Sequence, residues 1–375
     1  MMDAIQKKLL SEVADLHDVP QGAYSLRING NLYGKNDSEN ITIVSKNDKQ
    51  GIDIYVKPGT KNESLHIPVL LAQSGLKELV YNDFHIGADC DVTIVAGCGI
   101  HNNGSEESEH SGIHAFYLDE GARVKYVEKH YGQGEGTGKR VMNPTTVAVL
   151  GKNSYMEMET AQIKGVDSTR RDTTATLEEG ATLIVREKIM THGTQFAETN
   201  FTVDLNGEGS ATHVISRSVA KDKSRQSFLS HVNGNNRCSG HTECDAIIMD
   251  DAQVIALPQI EANHVDASLI HEAAIGKIAG EQLIKLMTLG LTEAEAEEHI
   301  VNGFLKKAKI SKSTPKRSAL FYWLLPAKKR LIYINAKSLA RFFIKWEICS
   351  ASCLRKTTIC AFAFTCFVIG PLPRQ

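Results

Sequence analysis

The sequence predicts a mainly β chain, a solenoid of short stacked strands with a short helix before it and a helical pair after it. Three observations lead there. From about residue 25 to 270 short alternating strands follow one another, as at Ser64–Val69, Val92–Ala96, Val124–Val127, Leu183–Arg186 and Thr212–Ser216. An apolar residue, a tight polar or glycine turn and a new strand recur, led by Ile86, Leu118, Leu150, Leu177 and Leu205, with Met249 read as a sixth copy. Helical spacing is confined to the two ends. A two-sheet sandwich also has short strands and frequent turns, but the leaders Ile86, Leu118 and Leu150 recur at intervals of 32 residues, and this favours the solenoid.

At the N-terminus, Ile5, Leu9, Val13 and Leu16 fall at helical spacing, and Pro20 and Gly22 end the pattern. Residues 1–24 are therefore a helical segment and 25–270 the strand core. After Ala273 the chain is expected to turn helical over Ile275–Leu289, with Gly290 as its C-terminal glycine. Thr292 and Glu295 then form a capping box for a second helix bearing Ile300, Val301, Phe304 and Leu305 on one face. Residues 271–307 form a cap over the last coil or a docking surface.

The tail, 308–375, differs in composition from everything before it. Of 42 basic and 44 acidic residues, 13 and one lie in 309–375, leaving 29 and 43 in 1–308, a net charge of −14. Both Trp, four of eight Cys and a single Gly also fall there. Its apolar stretch of about 13 residues is short of the roughly 20 that span a bilayer. It reads as a disordered or out-of-frame extension. The acidic body argues against nucleic-acid binding. Met1–Leu10 carries Asp3, Lys7 and Lys8 and resembles no export signal, so a reducing cytoplasmic setting is expected for the thiols.

Three constellations could carry chemistry. Cys98 precedes His101, and His110 and His114 follow an acidic loop. Four apart on a strand, the two histidines share a face but start roughly 13 Å apart, and a surface loop with scattered His competes with a metal site. Cys238, His241 and Cys244 put three metal-compatible side chains in seven residues, too few for a closed structural site. His271 and Glu272 stand where strand should give way to helix, and there the helix dipole would favour an acid. Position 275 is Ile, which removes a zincin reading, and neither a P-loop nor a G-x-S-x-G elbow is present.

The stretch Gly240-His-Thr-Glu-Cys244-Asp, then Ala256-Leu-Pro-Gln-Ile-Glu-Ala-Asn-His264 through His271-Glu-Ala-Ala-Ile-Gly-Lys-Ile, resembles the SufB/SufD family. Gly290-Leu-Thr-Glu-Ala-Glu-Ala, Ile300-Val-Asn-Gly-Phe304 and Leu118-Asp-Glu-Gly-Ala-Arg-Val-Lys-Tyr126 extend the likeness, which covers essentially 1–307 and looks like the short, SufB-like form. The resemblance implies a right-handed parallel β-helix and a non-enzymatic scaffold on which a transient iron–sulfur cluster is assembled. It implies Cys98 and Cys244 as sulfur acceptors, and Cys244, His271 and Glu272 as cluster or metal ligands; Cys238 and His241 are further metal candidates on their spacing alone. It also implies a SufC-like ABC ATPase docked through Ile284, Met287, Ile300 and Phe304, and a cysteine desulfurase or other sulfur donor. The remaining partner is a second copy or a SufD-like chain. The residues before His271, Ser268-Leu-Ile, lack the extra Cys of SufD-type chains, which leans to SufB character and a homodimer. A non-cluster-binding SufD-like subunit, a zinc or iron enzyme using the Cys and His residues, and a carbohydrate-active β-helix are the rivals.

Overall fold

A computed structural model describes residues 1–306; the expectation for 308–375 lies outside the described residues. The chain alternates between two ten-stranded sheets, so that each turn of the coil contributes one strand to each sheet, over about eight turns. Successive strands within a sheet are parallel, apart from two antiparallel hairpins at the N-terminal end, Ala23–Ile28 with Asn31–Asn36 and Ile41–Ser45 with Gly51–Val56. Parallel stacking of sequential coils, in place of Greek-key hairpins, makes this a solenoid and not a sandwich.

The repeat leaders form one physical ladder. Ile86 pairs with Leu118, Leu118 with Leu150, Leu150 with Leu177 and Leu177 with Leu205, and all are buried. The corner after each holds one residue in the left-handed region: Asp89, Gly121, Asn153, Gly180 and Gly209. Asp, Asn and Gly tolerate that conformation, and each of these N–H groups donates to a carbonyl of the next corner. Met249 does not belong to this ladder, because Leu205 pairs with Gly234. Met249 closes the opposite corner, where Gly193, Asp222 and Asp250 are the left-handed residues. The two corners use the same turn chemistry, so sequence spacing alone merges them.

The N-terminal helix spans Ala4–Ala14, capped by the reciprocal bonds of Asp3 and Gln6, and ends with Asp15 in the left-handed region before Pro20 is reached. Leu9, Leu10 and Val13 bury against Leu26, Leu70 and Tyr131, while Ile5 stays exposed. Its seat is the outer face of the strand Asp91–His101, where Gly97 and Gly99 leave room. A Cβ at Gly97 would lie 2.4 Å from the carbonyl oxygen of Val13. Gly97→Ala is expected to shift the helix off its seat and cost about 1–3 kcal/mol, read as a lower urea midpoint; an unchanged midpoint would refute this packing account.

At the C-terminal end, strand persists through Ser268–Gly276, beyond the expected boundary at 270, and the first helix is only Gly280–Met287. The second helix, Glu293–Leu305, has the Thr292–Glu295 capping box. Val301 and Leu305 bury against Val219 and Met249, with Ile278 and Phe304 beside them. The helical pair therefore packs on the flank of the coil and does not cover its end. Gln253–Ala262 and Ser268–Gly276 remain the terminal strands of the two sheets, with Ile255, Leu257, Ile260 and Ile270 exposed.

Candidate functional site

Three consecutive strands of one sheet, Ala211–Ala220, Ser239–Ile248 and Ser268–Gly276, hold most of the candidate residues in register. Alternation sends successive side chains to opposite faces. Cys244 points inward between Ser216 and Ala273, its register partners, and is 2% exposed. His271 pairs with Thr242 and shares that inward face, its Nδ1 2.7 Å from Thr242 Oγ1. Its Cα is roughly 8 Å from that of Cys244, one strand over and two residues along. Burial lowers the His271 pKa, with His241 adding to the effect.

Glu272 pairs with Glu243 and faces outward. The sheet thus separates it from Cys244 and His271, because parity divides what the sequence places side by side. Its expected place at a helix N-terminus is also corrected, since it lies in mid-strand. Alternation likewise splits Cys238, His241 and Cys244. His241 points outward and Cys244 inward, while Cys238 sits buried at a corner, roughly 20 Å along the chain from Cys244. Their three-ligand arrangement does not form.

Burial, with Glu187 and Asp245 nearby, pushes the Cys244 thiol up to about 12. Buried in this way it is protonated, and a protonated thiol is not a metal ligand. Burial also holds the Cys98 thiol well above its ordinary value, reinforced by Glu78 and Glu128. Cys98 faces inward among Val69, Leu71, Ile100, Met142 and Val166. It lies five strands from Cys244 in the same sheet, roughly 24 Å away.

The space between the two thiols is not wholly apolar. Ala96, Glu128, Thr160, Glu187, Ser216 and Cys244 are stacked partners in one inward column, and Cys98, His130 and Gln162 begin the next. From the facing sheet, Arg171 bonds Glu128 and stands 3.6 Å from Glu187. Thr199 and Ser216 each donate to Glu187 at 2.8 Å. Sequence reasoning missed this polar lane. The strand reading of His110 and His114 holds and its surface-loop alternative falls: both are buried and bracket Gly112 on the inward face of Ser108–Leu118. A Cβ at Gly112 would meet His114 Nε2 at 3.1 Å and His110 Nε2 at 3.3 Å.

On the outer face, His213, His241 and Glu243 offer ligand atoms within 4.8 Å of one another, a group of metal-binding type. His213 was not singled out by sequence; it stands 28 positions before His241, one coil length, and that interval is the signal that could have found it. The partner-contact candidates divide: Ile284 and Met287 are exposed, whereas Phe304 packs on the Val219–Met249 cluster and Ile300 is half-buried. A groove of about 1200 Å³ runs beside the N-terminal helix and is lined by none of the candidate cysteines. Among the described residues no helix is long and apolar enough to cross a membrane.

A family model for the SUF system FeS cluster assembly, SufBD core domain, matches residues 78–304. An iron–sulfur cluster assembly SufBD family protein of Methanothermobacter thermautotrophicus is 28% identical over 263 residues, covering 68% of this chain and 62% of the relative. A namesake from Archaeoglobus fulgidus is 28% identical over 277 residues, 72% of each chain. One from Methanocaldococcus jannaschii is 25% identical over 255 residues, 67% of this chain and 79% of the relative. The chain thus spans less than two thirds of the Methanothermobacter protein's length.

Proposed function

The chain belongs to the SufBD family of the SUF iron–sulfur cluster assembly system, and on that premise we propose that it is a non-enzymatic scaffold that builds clusters at the open end of its solenoid for transfer to apoproteins. The observation that carries this reading is the placement of Cys244, with His271 on the same inward face, one strand from a sheet edge that pairs with no further strand among the described residues. Thiolate is the ligand and sulfur carrier that such chemistry needs. The apolar residues exposed on the terminal strands suit a second copy, or a SufD-like chain, seated there. Two such ends would supply Cys244, His271 and Glu272 from both sides of a two-fold seam.

The closed state masks the thiol, so assembly requires the last strand to move. A SufC-like ATPase gripping Ile284 and Met287, with Ile300 and Phe304 behind them, would pull on the chain directly after that strand. Opening would hydrate Cys244 and let it ionise. Sulfur arrives from a cysteine desulfurase or another donor: an acceptor thiolate attacks the outer sulfur of the donor's persulfide, and the donor leaves as thiolate. Cys98 and Cys244 are too far apart for one such exchange between them, so passing sulfur from one to the other would need a mobile thiol carrier that exchanges with each in turn. A reducing compartment, the cytoplasm, fits these free thiols.

The test is anaerobic reconstitution with iron and sulfide, followed by visible absorbance. Cys244→Ser is expected to abolish cluster formation while leaving the circular dichroism melt unchanged. Normal cluster yield in a folded Cys244→Ser protein would refute the scaffold role of this residue.

A further inference from the structure

We propose that the outer face of the last coils carries a ferrous-iron site, formed by His213, His241 and Glu243, with Glu272 orienting His241. The proposal rests on the assembly reading for its choice of metal, but its geometry is independent of Cys244, which faces the other way.

His213 Nε2 lies 3.0 Å from Glu243 Oε1, and His241 Nδ1 lies 3.8 Å from the same oxygen. Ligand atoms bound to one cation at about 2.1 Å stand roughly 3–3.4 Å apart. The first pair already has that spacing, and the second needs a contraction of about half an ångström. The two imidazoles are stacked, with centroids 4.8 Å apart and planes 5° from parallel, so a shared metal needs one ring to turn. The three side chains are 26–33% exposed and have room to do so.

The orientation of His241 favours this assignment. Its Nδ1 faces Glu243 while its other nitrogen, Nε2, lies 3.6 Å from Glu272 Oε2, without a hydrogen bond of its own and shielded from solvent. A carboxylate behind the non-ligating nitrogen of a histidine is the usual outer support of a metal-bound imidazole. Arg217 also acts on Glu243, but its guanidinium is bonded to the carbonyls of Phe304 and Lys306, at 3.4 and 3.5 Å.

Two imidazoles and one carboxylate, with the remaining positions open to water, form the donor set of non-haem ferrous centres. Open positions permit release. Glu243 immediately precedes Cys244, so iron held here would wait one sheet thickness from the thiol. When the terminal strand shifts, Glu272 would leave His241, while the three ligands stay on the two preceding strands.

The experiment is anaerobic titration of the full chain with Fe(II) alone, without sulfide, comparing wild type with His213→Gln, Glu243→Gln and Cys244→Ser. The expected result is one Fe(II) per chain in wild type and in Cys244→Ser, and affinity at least about tenfold weaker in the other two variants, whose circular dichroism matches wild type. The inference falls if the folded wild type binds no Fe(II). It falls equally if binding is lost in Cys244→Ser and kept in His213→Gln and Glu243→Gln. Normal cluster yield in Cys244→Ser, with Fe(II) binding lost only in His213→Gln and Glu243→Gln, would overturn the assembly reading and leave the iron site standing.

Discussion

Arg171→Ala is expected to destabilise the solenoid by about 3–5 kcal/mol, the usual cost of removing one partner from a buried ionic group. The guanidinium reaches across the interior from one sheet and neutralises Glu128 and Glu187 on the other, and all three are nearly inaccessible. Burial alone would push the Glu128 carboxyl up, but Arg171, with His130 and His114, holds it well below the usual carboxylate range. Without Arg171, two carboxylates would face each other across one intervening strand without their shared guanidinium, although Tyr126, Thr199 and Ser216 still donate to them. Urea denaturation at neutral pH measures the loss. Adding Glu128→Gln to Arg171→Ala should recover part of it, because one stranded charge is then removed. A loss below about 1 kcal/mol for the single variant would show that water enters the lane freely, and the charges would then not be buried in any energetic sense.

The second expectation concerns acid. Burial lowers His114 to about 4, against an ordinary value of 6.5. The native chain therefore refuses a proton that the unfolded chain accepts. The stability tied to this group is complete above pH 6.5 and is lost as pH falls towards 4, amounting to roughly 3 kcal/mol across that window. His66 and His271, also lowered by burial, act in the same direction. Glu128 and Glu78, whose folded-state values are depressed, hold stability above the ordinary carboxylate range and release it only at lower pH. Between pH 6.5 and 4.5 the histidines should dominate. His114→Gln is expected to flatten the fall in urea midpoint between pH 7 and 5 relative to wild type, while lowering the midpoint at pH 7 through loss of its 2.7 Å bond to Tyr126. An equally steep fall in the variant would remove His114 from the account.

The fold could be read because its leaders repeat a chemical requirement. Each coil needs one apolar side chain before a left-handed corner, and Ile86, Leu118, Leu150, Leu177 and Leu205 announce it. What could not be read was which face each polar residue takes. Intervals between stacked partners vary, as with the 28 positions from Ser216 to Cys244 and the 29 from Cys244 to Ala273, so odd and even positions exchange roles from coil to coil. Glu272 beside His271 gave no sign that the two point oppositely because the strand was expected to end at 270, and alternation holds only where the chain stays extended. The buried pairing of Glu128 with Arg171 could not be foreseen, because burial of charge is normally avoided and only the facing sheet, invisible in local sequence, supplies the partner. The helical pair was legible through the Thr292–Glu295 box, but its first helix begins late, because strand pairing with Ser239–Ile248 holds the chain extended to Gly276.

The stacking also makes distance along the molecule a counted quantity. Cys98 and Cys244 sit in one sheet, so their separation is a whole number of steps of about 4.8 Å. Excising or duplicating one complete coil between them would change that number by one and leave the surroundings of both thiols untouched. The chain behaves as a ruler whose graduations are its own repeats.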